Sequence, residues 1–125
     1  MAYTHDAPAP ECSSEAGYCS KQCELVDMVY TALKLETQMS RLYLAEVLRL
    51  AVVFDNKQKD YGSQNISKFG EKGVLVRVTD KIERLRNLLW DREDAAPSNE
   101  ALSDTWDDIH VYACIGRLCR DNKWL

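Results

Sequence analysis

Residues 73–90 read GVLVRVTDKIERLRNLLW. The fold class turns on this stretch. Val74, Val76 and Val78 alternate as one face of a strand would, whereas Val74, Val78, Ile82, Leu85 and Leu89 form a single helical stripe. No other run of the chain alternates in this way, and a lone strand has no neighbour for its backbone hydrogen bonds. The stretch therefore reads as a helix, and the chain as all-α.

The same period extends upstream. From Ser20 to Tyr61 there is neither Gly nor Pro, and Leu25, Met28, Val29, Ala32, Leu35, Met39 and Leu42 recur at helical spacing. This predicts two helices or one long bent one. Its second half, LYLAEVLRLAVVF (42–54), is apolar nearly all round, which suits the middle of a bundle or an oligomer interface. Gly62, after Lys59 and Asp60, is a helix-stop signal. Downstream, DREDAAPSN (91–99) reads as a loop with Ser98 as N-cap of a last helix from about Asn99 to Cys119. The expected architecture is three or four helices, bundle-like and completed by oligomerisation, most simply as a homodimer.

The first 20 residues hold two of the three prolines and many Ala and Ser, and read as a flexible arm. Residues 21–125 read as one α-helical domain. The chain has 125 residues, 46% apolar and 29% charged, an ordinary globular balance. A net charge of −4 argues against a duplex nucleic-acid binder, although not against a local basic pocket. No apolar run approaches the ~20 residues of a membrane span. The N-terminus has neither a basic start nor an apolar core, so no secretory signal is read there and a cytoplasmic location is expected. Five cysteines, an odd number without any C-x-x-C pair, read as free thiols rather than a disulfide framework or zinc site.

Two rows of charge stand out. On the helix from Gly73, residues Arg77, Asp80 and Arg84 fall away from the apolar stripe, with Lys81 at its edge. They are either a solvated face joined by an Asp80–Arg84 pair or an anion site, for which guanidinium forks suit phosphate. On the last helix Glu100, Asp104 and Asp108 stand four residues apart on one face, opposite Leu102, Trp106, Ile109 and Ala113, which read as core. Such a carboxylate stack is acid bias near a helix N-terminus, or it faces basic side chains or a Mg²⁺ ion with a substrate phosphate; one turn on, the same face becomes Val111, Ile115 and Leu118, which points it toward a packed interior or a pocket. The loop between residues 62 and 73 carries Gly62, Gly70 and Gly73, and Tyr61 and Phe69 could close over a base. Helix packing across a short connection would put the basic and acidic rows on one cleft.

The ordered set Asn56-Lys57, Lys59-Asp60-Tyr61-Gly62, Phe69-Gly70, Gly73-Val74, Arg77, Asp80-Lys81-Ile82, Arg84-Leu85, Glu100, Asp104-Thr105, Asp108 and Tyr112 resembles the nucleotide modification associated domain 1 family, common in phage genomes. The resemblance covers about residues 42–116. It departs at Ala101, where the family often has Ser, and does not extend to the arm before residue 40. It implies a phage-type protein of nucleotide metabolism working in the host cytoplasm. A looser similarity is to the all-α nucleotide pyrophosphohydrolases of the MazG and dimeric dUTPase type, whose paired E-x-x-E/D motifs hold Mg²⁺. Here the pairs are Asp80-x-x-Glu83 and Asp104-x-x-Asp107, the first interrupted by Lys81 and followed by Arg84, which favours phosphate recognition by base.

Three functions follow as expectations. A Mg²⁺-dependent nucleotide hydrolase would use Asp80, Asp104 and Asp108 in catalysis, and Glu100, Asp104 and Asp108 as metal ligands. Lys59, Tyr61, Phe69, Arg77, Lys81, Arg84 and Tyr112 would hold the nucleotide. A non-catalytic binder sequestering a host nucleotide signal would use the same basic residues without metal. A helical interaction module would use neither.

Overall fold

The computed structural model describes residues 19–92 and 101–125, with side chains from Cys23. All but the last two positions of the expected arm, together with Ser98, Asn99 and Glu100, lie outside the described residues. Every regular element among the described residues is helical: α1 (Cys19–Ala32), α2 (Gln38–Tyr61), the single turn α3 (Gln64–Ser67), α4 (Gly70–Leu85) and α5 (Leu102–Arg120). The chain divides into two compact units, Met1–Val53 and Phe54–Leu125, with α2 supplying residues to each.

In the first unit the Gly- and Pro-free run breaks into two helices. Lys34 adopts a left-handed φ of 55°. The Leu35 N–H then reaches back to the Tyr30 carbonyl (3.1 Å) and the Lys34 N–H to Thr31 (3.0 Å), closing α1 as a Schellman turn. Three residues on, the Thr37 hydroxyl accepts the Ser40 N–H at 3.0 Å and caps α2. Val26, Leu44 and Leu50 are buried, while Leu42, Tyr43 and Val52 are exposed. Arg41 pairs with Asp27 and lies 5.9 Å from the Tyr30 ring centroid, tying α2 to α1. Cys23 is disulfide-bonded, which corrects the free-thiol expectation there; Cys114 and Cys119 are free.

In the second unit, α2 stops at Gly62, whose φ of 66° only glycine adopts without cost. The segment GVLVRVTD is helical, and α4 runs on into a π-helical turn, Arg86–Asp91. α4 and α5 pack antiparallel, and their cross-contacts run in strict register. Glu71 meets Arg120 at 2.9 Å, Arg77 lies over Tyr112 at 5.9 Å, Lys81 meets Asp108 at 2.8 Å, and Arg84 donates to Thr105. Gly116 faces Val74 across the α4–α5 contact, where a Cβ would make an ordinary van der Waals contact with Val74 Cγ1 at 3.5 Å. Ile66, Val74 and Ile115 form the core, with Phe54, Val78, Val111, Tyr112, Cys119 and Trp124 packed on it.

Three expectations are corrected. The α5 face read as core is not the inner one. Trp106 is 55% exposed and Ala113 is exposed, whereas Thr105 is fully buried (0%) and Ile115 is buried. The polar residues turn inward because α4 presents Arg84 and Lys81 to receive them, which offsets their desolvation. The α4 stripe also shifts: Val74, Leu85 and Leu88 are buried, while Ile82 and Leu89 are exposed. The last helix starts at Leu102 rather than Asn99, with Ala101 extended in the cap position (φ −62°, ψ 147°).

Candidate functional site

A cleft of about 450 Å³ opens within the second unit, between the end of α2, α3, α4, α5 and the C-terminal residues. Its apolar floor is the core itself, through Phe54, Ile66, Val111 and Ile115. Tyr61, Tyr112 and Trp124 supply aromatic walls, and Lys57, Gln58, Asn65, Arg77 and Asp108 supply polar groups. That volume lies within the ~300–1,000 Å³ of small-molecule sites, which also combine an apolar lining with a few polar groups.

Each polar group is positioned by local structure. Gly62 turns the chain so that the Ser63 hydroxyl meets Gln58 Nε2 at 2.6 Å. The Ser63 carbonyl accepts the Trp124 indole N–H at 3.1 Å, and the Trp124 ring stands edge-on to Phe54 with centroids 6.2 Å apart. Trp124 reaches this place because α5 ends in a Schellman turn. Asn122 has φ 55°, its N–H bonds the Cys119 carbonyl (3.1 Å), and the Lys123 N–H bonds Leu118 (2.8 Å). Arg77 donates to the Asn65 carbonyl at 3.3 Å and stacks its guanidinium near Tyr112.

Among the described residues Asp108 is the only acid lining the cleft. Its two oxygens are divided between two ammonium groups, Lys57 at 3.1 Å on Oδ1 and Lys81 at 2.8 Å on Oδ2. Burial pushes this carboxyl up, but the hydrogen bonds from Lys81 and Lys57, together with their charges, outweigh burial and hold it below the ordinary 3.8. Asp108 and Lys81 are well covered, at 17% and 24% exposed, whereas Lys57 is 56% exposed.

Of the residues nominated from the sequence, Tyr61, Arg77, Asp108 and Tyr112 line the cleft, and Lys81 borders it through Asp108. Of the others, Glu100 lies outside the described residues and the rest stand elsewhere. Lys59 pairs with Asp55 along α2 at 3.1 Å. Arg84 binds the buried Thr105 hydroxyl. Phe69 is exposed beneath Lys68, whose Nζ lies 5.6 Å from the ring centroid. Asp80 and Asp104 are exposed. Lys57, Gln58, Asn65 and Trp124 were not nominated. Lys57 stands one turn before Tyr61 on the same helix face, and Asn122 in D-N-K-W is a helix-end signal that sends Trp124 back.

Among the described residues the one lining carboxylate, Asp108, already carries two ammonium groups, and a Mg²⁺ ion on it would stand against both; Glu100, the third nominated ligand, lies outside the described residues. Among the described residues no three His, Cys, Asp or Glu side chains are grouped as a metal site would need. Compared with family models, curated proteins and solved structures, the chain shows no significant match.

Proposed function

We propose that the cleft holds a nucleotide-type small molecule and that the protein acts by binding it rather than by transforming it. One observation carries this reading: among the described residues the sole acid of the lining has both oxygens taken by lysines, so the cleft offers an anion cationic groups between aromatic walls. Arg77 presents a planar fork suited to phosphate, and Tyr61, Tyr112 and Trp124 present faces on which any nucleobase can stack. A general base or metal-bound water would need a carboxylate free of such partners. The resemblance to a phage nucleotide-metabolism family points to the same ligand class, and holding a host nucleotide signal is a role that needs no chemistry. The same reading takes the chain as a homo-oligomer that completes a helical bundle, since Leu42, Tyr43 and Val52 of α2 remain exposed.

The test is mass spectrometry of small molecules released from the purified protein on denaturation, followed by incubation of each with fresh protein, with and without Mg²⁺. Intact release of a nucleotide supports binding. Conversion that requires Mg²⁺ replaces this reading with a hydrolase, and an empty protein leaves a helical interaction module. Sedimentation as a 14.3 kDa particle at micromolar concentration would refute the oligomer.

A further inference from the structure

Charge and exposure in the cleft narrow the ligand further, given that the cleft binds a nucleotide-type anion at all. Among the described residues the lining carries two positive charges, Arg77 and Lys57, and one negative, Asp108; Lys81, which borders the cleft through Asp108, adds a third positive charge, an excess of two in all. The three cations differ in freedom. Lys81 is largely covered and stays with Asp108. Lys57 is more than half exposed and holds Asp108 at the longer 3.1 Å. An incoming anion can therefore recruit Lys57 while Lys81 keeps the carboxylate neutralised. Arg77 lines the same cleft, its guanidinium oriented by the Asn65 carbonyl and the Tyr112 face.

We propose that the cleft selects a phosphate monoester dianion on an aromatic nucleoside, a nucleoside monophosphate, over the corresponding di- and triphosphates, with Arg77 and Lys57 as its two clamps. A monoester carries about −1.5 to −2 charges at pH 7, with a second pKa of about 6. It matches the local excess. A triphosphate brings further negative charge that no cation of the lining meets, beside the covered carboxylate of Asp108. In a partly desolvated cleft that surplus is unfavourable.

The experiment is calorimetry of the full chain in chelator at pH 7.5, with adenosine, guanosine, cytidine and uridine and their 5′-mono-, di- and triphosphates. The expected result is that, for the base bound best, the monophosphate binds at least ~10-fold tighter than both the nucleoside and the triphosphate. Its affinity should fall between pH 7 and pH 5.5 as the monoester takes up its second proton. Lys57→Met should weaken the monophosphate more than the nucleoside, with the melting temperature reporting that the variant is folded. A triphosphate binding as tightly as the monophosphate, or tighter, overturns the charge selection and leaves the nucleotide cleft standing. Binding that is indifferent to Lys57→Met overturns its part as a clamp. No binding by any nucleoside or nucleotide removes the cleft reading itself, and the selection with it.

Discussion

Asp108→Asn is expected to weaken the fold and strengthen anion binding at once. The stability loss comes from two ion pairs. The Lys81 pair is well covered, and a hydrogen bond to a charged group in such a place contributes ~1.5–3 kcal/mol. The Lys57 pair is more than half exposed on the lysine side and adds ~0–1 kcal/mol after solvent screening. The amide oxygen of Asn can still accept one of the two bonds, so the net loss is about 1–2 kcal/mol. For a cooperative unit the size of Phe54–Leu125, each kcal/mol lowers Tm by about 4–8 °C. The binding gain follows from Coulomb's law. One negative charge ~8 Å from a phosphate, at an effective dielectric of ~20, opposes binding by ~2 kcal/mol per charge. The open mouth of the cleft reduces this to about 1 kcal/mol, a roughly fivefold tighter complex. The pH dependence has a definite sign. The folded-state carboxyl titrates below its ordinary 3.8, so its stabilisation is whole above the ordinary carboxylate range. It drains away as pH falls from that range through the lowered folded value. The Tm gap between wild type and Asp108→Asn should therefore be full at pH 7 and narrow towards pH 3. Scanning calorimetry across pH, paired with titration of a nucleotide in chelator, reads both effects. Weaker nucleotide binding with an unchanged Tm would refute the reasoning, because it would make Asp108 a contact for ribose or base rather than a brace for two lysines.

Three further perturbations separate structural from ligand-facing residues. Thr105→Val removes the acceptor of Arg84 at a fully buried position, so the urea midpoint should drop by the equivalent of ~1–3 kcal/mol while nucleotide affinity holds; lost affinity with stability intact would put Arg84 at the ligand. Arg77→Ala should weaken a phosphorylated ligand by ~1.5–3 kcal/mol, and equal binding in both proteins would place the phosphate elsewhere. Gly73→Ala should destabilise by ~1–3 kcal/mol despite the better helix propensity of Ala, because its Cβ would stand 2.6 Å from the Cβ of Phe69, one turn back and anchored directly to backbone; a raised Tm in thermal denaturation would show that the close approach yields freely.

The all-α class was legible in the sequence because periodicity is a local property. In residues 73–90 the helical stripe and the strand alternation compete, and the lack of a second alternating run decides between them. Gly62 as a stop was legible for the same reason: left-handed backbone is a single-residue preference. Two helices or one bent one were expected upstream, but the position of the break at Lys34 was not legible, since no Gly or Pro marks it and the closing bonds belong to the backbone. The inner face of α5 was decided only in three dimensions. The residue pattern assigned Trp106 to the core and put the basic and acidic rows on one cleft, but it has no means of knowing which partners meet there, Lys81 with Asp108 and Arg84 with the buried Thr105. The cleft divides in the same way. Arg77, Asp108, Tyr61 and Tyr112 were nominated by residue type and by resemblance, and tertiary structure brings them together. How each polar group of the cleft is held depends on partners 12 to 61 residues away in the chain, such as Asn65 for Arg77 and Ser63 for Trp124. Periodicity sees a helix and its faces; only the packing of α4 on α5 determines which face is inside, because a polar side chain turns inward when, and only when, another element brings its partner.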